Sequence, residues 1–219
     1  MTDDSDVTRL VAHIESSIDS ELPESPDGWP NEIEAALIDA VFSARATYGG
    51  PNTGVRAVVR RWRDERATVT GEAVPLDDLT QIARYADQGG ELADILGNHQ
   101  RVPGNATTKA TAVACAAQNF INVGVRHAAD IADHEDAARR AYLRVPGLGP
   151  ITADYFFMLL GRPGVKADVM VQRFVCAALG LDSITPDRAR ELVTSAAVAL
   201  DCDLTRLDHA IWLFQRSSG

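Results

Sequence analysis

The part of this 219-residue chain best equipped for binding chemistry is the run Leu143-Arg144-Val145-Pro146-Gly147-Leu148-Gly149-Pro150-Ile151-Thr152-Ala153. Pro146 stops a preceding helix, because the residue before a proline avoids the α region. Gly147 and Gly149 permit positive φ and a close approach by another backbone. Pro150 suits the first turn of a following helix, whose opening amides have no partner within it. Such a hairpin aims several N–H groups and a helix N-terminus at one place, a ready site for an anion. An ordinary helix–turn–helix corner, with glycine there for steric reasons, accounts for the same residues. His127, Asp130 and His134 stand at i, i+3 and i+7, one helical face with the spacing of a divalent-metal site. The same spacing is common on solvated faces, and no metal is expected.

Arginines supply the remaining candidates. Arg45, Arg56, Arg60, Arg61, Arg63 and Arg66 form one basic run, with Trp62 inside it. Arg139, Arg140, Arg144, Arg162, Lys166 and Arg173 form another. Runs of this kind either reach phosphates or keep a face solvated. Trp62 continues the apolar face of Val55, Val58 and Val59, so it is expected in the core.

Helices must position these groups, because helical periodicity runs almost everywhere. Val7, Leu10, Val11, Ile14 and Ile18 mark a first helix that ends near Leu22, and Pro23 to Pro30 reads as a loop. Ile33, Leu37, Ala40, Val41 and Ala44 mark a second helix. Val55 to Trp62 opens a third, and further patterns cover 76–87, 91–96, 108–122 and 136–144. Thr185 before Pro186 starts a helix reaching about 200, and Thr205 with Asp208 reads as a capping box for the last. No stretch alternates with period two. The chain is expected to be all-α, with roughly ten helices.

Composition narrows the function classes. There are 31 acidic and 21 basic residues, but the first 40 positions hold eleven of the acids and one base, Arg9. The remainder balances, so the acidic total does not exclude a nucleic-acid partner. No apolar run approaches the roughly 20 residues that span a membrane, and the acidic N-terminus has no signal-like stretch. Three scattered cysteines (Cys115, Cys176, Cys202) suit a reducing cytoplasm and fall short of an iron–sulfur ligand set. The expectation is a soluble, cytoplasmic, monomeric protein without a membrane partner.

The hairpin resembles that of the helix-hairpin-helix DNA glycosylase superfamily. That family carries Leu-x-x-Leu-Pro-Gly-(apolar)-Gly-x-x-Thr-Ala, matched here by Val145 in place of the second leucine and by Pro146, Gly147, Leu148, Gly149, Thr152 and Ala153. An aspartate opening another helix follows about 17 residues on, and Asp168 with Arg173 fits the family's Val-Asp-Thr-His-x-x-Arg-Val run. Ala40 to Thr47 resembles the Leu-Leu-Ser-Ala-Gln-Ala-Thr stretch of endonuclease III-like members, and Lys109-Ala110 also has a counterpart. The resemblance spans about residues 33–216 in order and spacing. It implies a two-lobed all-α fold: a six-helix barrel lobe over 27–162, and a second lobe from 1–26 plus 163–219, with the active site in the cleft between. The implied partner is double-stranded DNA. A damaged or mispaired base is flipped out and its N-glycosidic bond cut.

The resemblance also assigns roles. Pro146, Gly147, Leu148, Gly149, Ile151 and Thr152 would grip the phosphate backbone, with a monovalent cation at the hairpin as the one cofactor contemplated. Such contacts position and do not specify. Arg45 would sit where relatives fill the gap left by the flipped base, and Lys166 and Arg173 would lie near the DNA. The loop Gly97 to Asn105 could wedge the opposite strand. Bifunctional members use a lysine where this chain has Ile151, and the only lysines are Lys109 and Lys166. That points to hydrolysis without strand cleavage, with Asp168 stabilising the developing sugar cation and orienting water. As a plain helix cap, Asp168 would satisfy the same position. Thr152 to Phe156 resembles the Thr-Ala-Asn-Tyr-Phe run of 3-methyladenine glycosylase-like members, so Ile151 and Tyr155 would wall the base pocket. The alternative is a catalytically silent DNA-binding or damage-sensing protein of the same family.

Overall fold

A computed structural model describes residues 4–24, 27–45 and 54–217. The chain is all-α: helices dominate, and no strand occurs among the described residues. No described helix is long and apolar enough to cross a membrane. The helices are α1 Asp4–Ser17, α2 Ile33–Phe42, α3 Gly54–Thr70, α4 Thr80–Ala83, α5 Gly89–Leu96 and α6 Lys109–Ile121, then α7 Ile131–Leu143, α8 Pro150–Leu159, α9 Val169–Leu179, α10 Pro186–Ala199 and α11 Leu204–Ser217. They fall into two compact units, Gly28–Gly161 and Met1–Asp27 with Arg162–Gly219. Each unit has its own core.

In Gly28–Gly161 the centre is α2, buried at all ten positions. A helix apolar nearly all round belongs inside a core, and α3, α6 and α8 pack on it. A buried acid within it and a second acid just ahead of it organise its neighbours. The Glu34 carboxylate accepts from Trp62 Nε1 at 2.6 Å and from the Asp78 amide at 2.8 Å, and it pairs with Arg66. Burial nevertheless raises the Glu34 pKa. Just ahead of the helix, Glu32 takes both Arg63 guanidinium nitrogens at 2.7 Å and the Leu76 amide at 3.2 Å. These carboxylates explain a departure from the expected helix over 76–87. They draw the amides of Leu76 and Asp78 out of any helical ladder, so only Thr80–Ala83 is α-helical.

In the other unit, α1, α9, α10 and α11 enclose Leu10, Ile14, Phe174, Leu192, Leu207 and Ile211. Helix α1 ends at Ser17, short of the expected Leu22. Beyond it the Arg206 guanidinium holds the carbonyls of Leu22 and Pro23, which fixes a non-helical course. Thr185 caps α10 by accepting from the Arg188 amide at 3.2 Å, with Pro186 at the first position. The cap of α11 is Asp203, which accepts from the Arg206 amide at 2.8 Å. The expected Thr205–Asp208 box is therefore a misreading, and Asp208 has another employment.

Candidate functional site

The hairpin between α7 and α8 is built from the core outward. Val145 and Leu148 are buried, while Pro146 and Gly147 between them are exposed. Two successive turns make it: Val145 N–H donates to the Tyr142 carbonyl and Leu148 N–H to the Val145 carbonyl, each at 3.1 Å. Beneath lies an aromatic stack, with Phe156 5.2 Å from Phe120 and 5.9 Å from Tyr142 between ring centroids. Burial raises the pKa of the Tyr142 phenol.

The two glycines are not equivalent, which corrects the expectation of positive φ at both. Gly147 has φ +87°, and a Cβ there would lie 2.6 Å from Val102 Cγ1. Gly149 has φ −127°, open to any residue, and a Cβ there would meet nothing within 4 Å. Gly149 is the N-cap of α8. The first bond across that helix start runs from Ala153 N–H to the Gly149 carbonyl at 3.0 Å. Among the described residues no carbonyl receives the amides of Ile151 or Thr152. Thr152 Oγ1 turns back to donate to the Gly149 carbonyl at 3.0 Å. The hairpin therefore presents unused donors next to an exposed turn, at the positive end of a ten-residue helix. Exposed Arg140 and Arg144 precede it, without a partner among the described residues.

Other groups of this unit connect to the hairpin through the 97–105 loop. The 97–105 loop packs on the hairpin: Val102 is buried, and Val102 and Asn105 are the side chains nearest Gly147. Lys109, the opening residue of α6, joins that loop to the end of α2. Its buried ammonium donates to the carbonyls of Phe42 at 3.0 Å and Ala44 at 2.8 Å, and to Gln100 Oε1 at 3.2 Å. Burial lowers its pKa, and three acceptors leave it no nucleophilic role in this arrangement. Next along the chain Arg45 is exposed in a left-handed conformation, φ +52°. A non-glycine residue held there is strained, and the Lys109 clamp on the preceding carbonyls is what holds it. The Ala46 and Thr47 positions of the motif lie outside the described residues.

The rest of the first basic run is committed elsewhere. Arg63 and Arg66 pair with Glu32 and Glu34, Arg61 caps the Leu96 carbonyl at 3.1 Å, and Arg56 lies over Trp29. Arg139 pairs with Asp154 at 2.6 Å and covers Phe157. Ile151 and Tyr155 are half-buried, and Tyr155 packs on the core. His127, Asp130 and His134 are occupied with the chain itself. Asp130 accepts the amides of Arg126 and His127 at 2.8 Å, which lowers its pKa, and both histidines bond backbone carbonyls. No metal-ligating cluster occurs among the described residues.

Asp168 belongs to the other unit, where it is the N-cap of α9. Its Oδ1 accepts from the Met170 amide at 2.8 Å and the Val171 amide at 3.4 Å. Among the described residues no donor engages Oδ2. Lys166 is half-buried two residues before, and Arg173 is exposed on α9. The sequence reading gave Asp208 only a capping role. It is 8% exposed on α11, and its Oδ1 accepts from the Lys166 amide at 3.0 Å. Burial foremost, and then the Asp168 charge, push its pKa up to about 8. No local pattern could signal this, since the two acids stand 40 residues apart.

No curated protein matches the chain. A family model described as a domain of unknown function, DUF8548, matches residues 8–216, and the chain belongs to that family.

Proposed function

We propose that this protein is a monofunctional DNA N-glycosylase of base excision repair, with the two-lobed helix-hairpin-helix fold that such an enzyme uses. The observation that carries the reading is the hairpin. An exposed left-handed Gly147, anchored on either side by Val145 and Leu148, stands before a helix whose first free amides are unspent. This is a phosphate grip that needs no base contact, suited to duplex DNA of any sequence. Exposed Arg140, Arg144 and Arg45 add positive charge to the same unit. A monovalent cation could join the hairpin carbonyls to the phosphate.

In the reaction, water attacks C1′ of the flipped nucleotide as the C1′–N bond breaks. The base leaves with the bonding pair and takes up a proton, and the sugar keeps the water oxygen. Asp168 faces the developing positive charge with the oxygen its helix amides leave over, and it receives or orients the water proton. Its capping bonds fix the carboxylate, so cap and catalyst are one arrangement. Ile151 carries no amine where relatives place a Schiff-base lysine, and Lys109 is consumed by three acceptors. Base release without strand cleavage follows. Half-buried Ile151 and Tyr155 are the proposed walls for an electron-poor, alkylated base. The enzyme would act as a cytoplasmic monomer, in keeping with its three free cysteines.

One observation favours a second reading. The Asp168 capping bonds are complete without any reaction, so a silent DNA-binding or damage-sensing protein would look the same there. A screen of purified protein against duplexes carrying 3-methyladenine, hypoxanthine, uracil and oxidised bases decides. A free base and an intact abasic strand support the enzyme; lesion binding without base release supports the sensor.

A further inference from the structure

Two carboxyls of the Met1–Asp27 and Arg162–Gly219 unit act on each other while differing sharply in surroundings. Asp168 is partly exposed and holds two helix amides at the positive end of α9. Asp208 is buried in the second turn of α11, beside Leu207 and Ile211 of the core, with a single amide from Lys166. An anion is favoured where amides and water meet it, and disfavoured where burial strips both away. The charged side chains that act on Asp208 are Asp168, from α9, and Lys166, from the turn before it. On α10, Arg188 pairs with Asp6 and Glu191, and Arg190 with Asp187.

The Lys166 amide matters for a second reason. The chain from Val165 to Asp168 is an irregular turn whose shape sets where the Asp168 carboxylate stands. Val165 and Ala167 are buried, Gln172 Nε2 holds the Ala167 carbonyl at 3.0 Å, and Asp208 holds the Lys166 amide. One grip comes from α9 and the other from α11. Without Asp208 the turn loses the hydrogen bond that ties it to α11.

We propose that Asp208 is a positioning residue for Asp168: through the Lys166 amide it ties the turn that carries Asp168 to α11, which holds the two carboxyls where they act on each other. The inference rests on the proposed glycosylase reading for its catalytic meaning. Its physical content, an Asp208 carboxyl that holds this turn and feels the Asp168 charge, does not.

The experiment therefore has two arms. Carboxyl-carbon NMR of the aspartate side chains, without DNA, follows Asp208 through a pH titration. A midpoint near pH 8 is expected, moving measurably down in Asp168→Asn because the neighbouring charge is gone. A midpoint near 4 that ignores Asp168→Asn overturns the proposal. The second arm compares base release from a lesion duplex across pH. Wild type should lose activity as Asp208 ionises and adds negative charge beside the DNA site. Asp208→Asn, which keeps an acceptor for the Lys166 amide, should lose that limb, whereas Asp208→Leu should release base at least about 10-fold more slowly at every pH. A folded Asp208→Leu with the wild-type rate and pH profile also overturns it. If wild type releases no base from any lesion while the coupled titration stands, the glycosylase reading fails and the electrostatic pair survives it.

Discussion

Gly149→Asp separates the hairpin's binding role from its structural one. The substitution has room: Gly149 sits at φ −127°, and a Cβ there meets nothing within 4 Å. Aspartate is a better N-cap than glycine and complements the helix dipole, so stability should stay level or rise by up to about 1 kcal/mol. The added carboxylate would occupy the Ile151 and Thr152 amides and repel a phosphate. Losing charge-assisted bonds of about 1.5–3 kcal/mol should weaken binding by about 10- to 150-fold. The slope of log K against log salt should flatten by about 0.9, one phosphate's worth. Gly147→Ala is the contrasting perturbation. A left-handed alanine costs about 1–2 kcal/mol, and its Cβ would meet Val102 Cγ1 at 2.6 Å, so this variant should melt several degrees lower. Fluorescence anisotropy on a duplex with an abasic-site analogue, at several salt concentrations and beside circular-dichroism melts, reads all of these quantities. A folded Gly149→Asp protein that binds within about twofold of wild type, with the same salt slope, removes the hairpin from any DNA interface.

Three more outcomes follow from the same contacts. Asp208 binds a proton in the folded protein up to about pH 8 that the unfolded chain releases near pH 4, so its contribution to stability declines as pH rises through that window. Asp208→Asn lacks this slope, and its stability relative to wild type should climb by up to about 4 kcal/mol between pH 4 and pH 7 in urea unfolding; parallel curves refute it. Lys109→Met strands the carbonyls of Phe42 and Ala44 and should cost about 2–3 kcal/mol, and an unchanged urea midpoint would show the clamp to be dispensable. Borohydride treatment during turnover should trap no covalent DNA adduct; a strong adduct would point to Lys166 as nucleophile and end the monofunctional assignment.

Much of the helical framework is legible from periodicity, because α2 and α3 carry apolar residues at helical spacing and bury them. The hairpin is legible because Pro146 and Pro150 bracket two glycines. What local pattern misses is set by partners far along the chain. Arg63 and Arg66 read as a basic surface, yet Glu34, 32 residues upstream, takes the Arg66 guanidinium into the interior, and Glu32 pairs with Arg63 in a half-buried bridge. The same two carboxylates unmake the helix expected at 76–79 by claiming its amides. Thr205 looks like a cap, but Asp203 stands closer to the first free amides and takes that of Arg206. Asp208, counted as part of that cap, instead serves a turn 42 residues earlier. Pairings of this kind depend on which helices meet, and nothing in a window of neighbouring residues encodes that.

The central claim is that Asp168 drives base release. Its most direct test is a single-turnover assay of free base, by chromatography, for wild type and Asp168→Asn on a lesion duplex that wild type binds, with DNA affinity measured in parallel. The account predicts release by wild type with the strand intact. For Asp168→Asn it predicts a fall of about 100-fold or more in rate, with affinity equal or higher because a negative charge near phosphate has been removed. Release by Asp168→Asn at the wild-type rate would contradict it, leaving Asp168 a helix cap and nothing more.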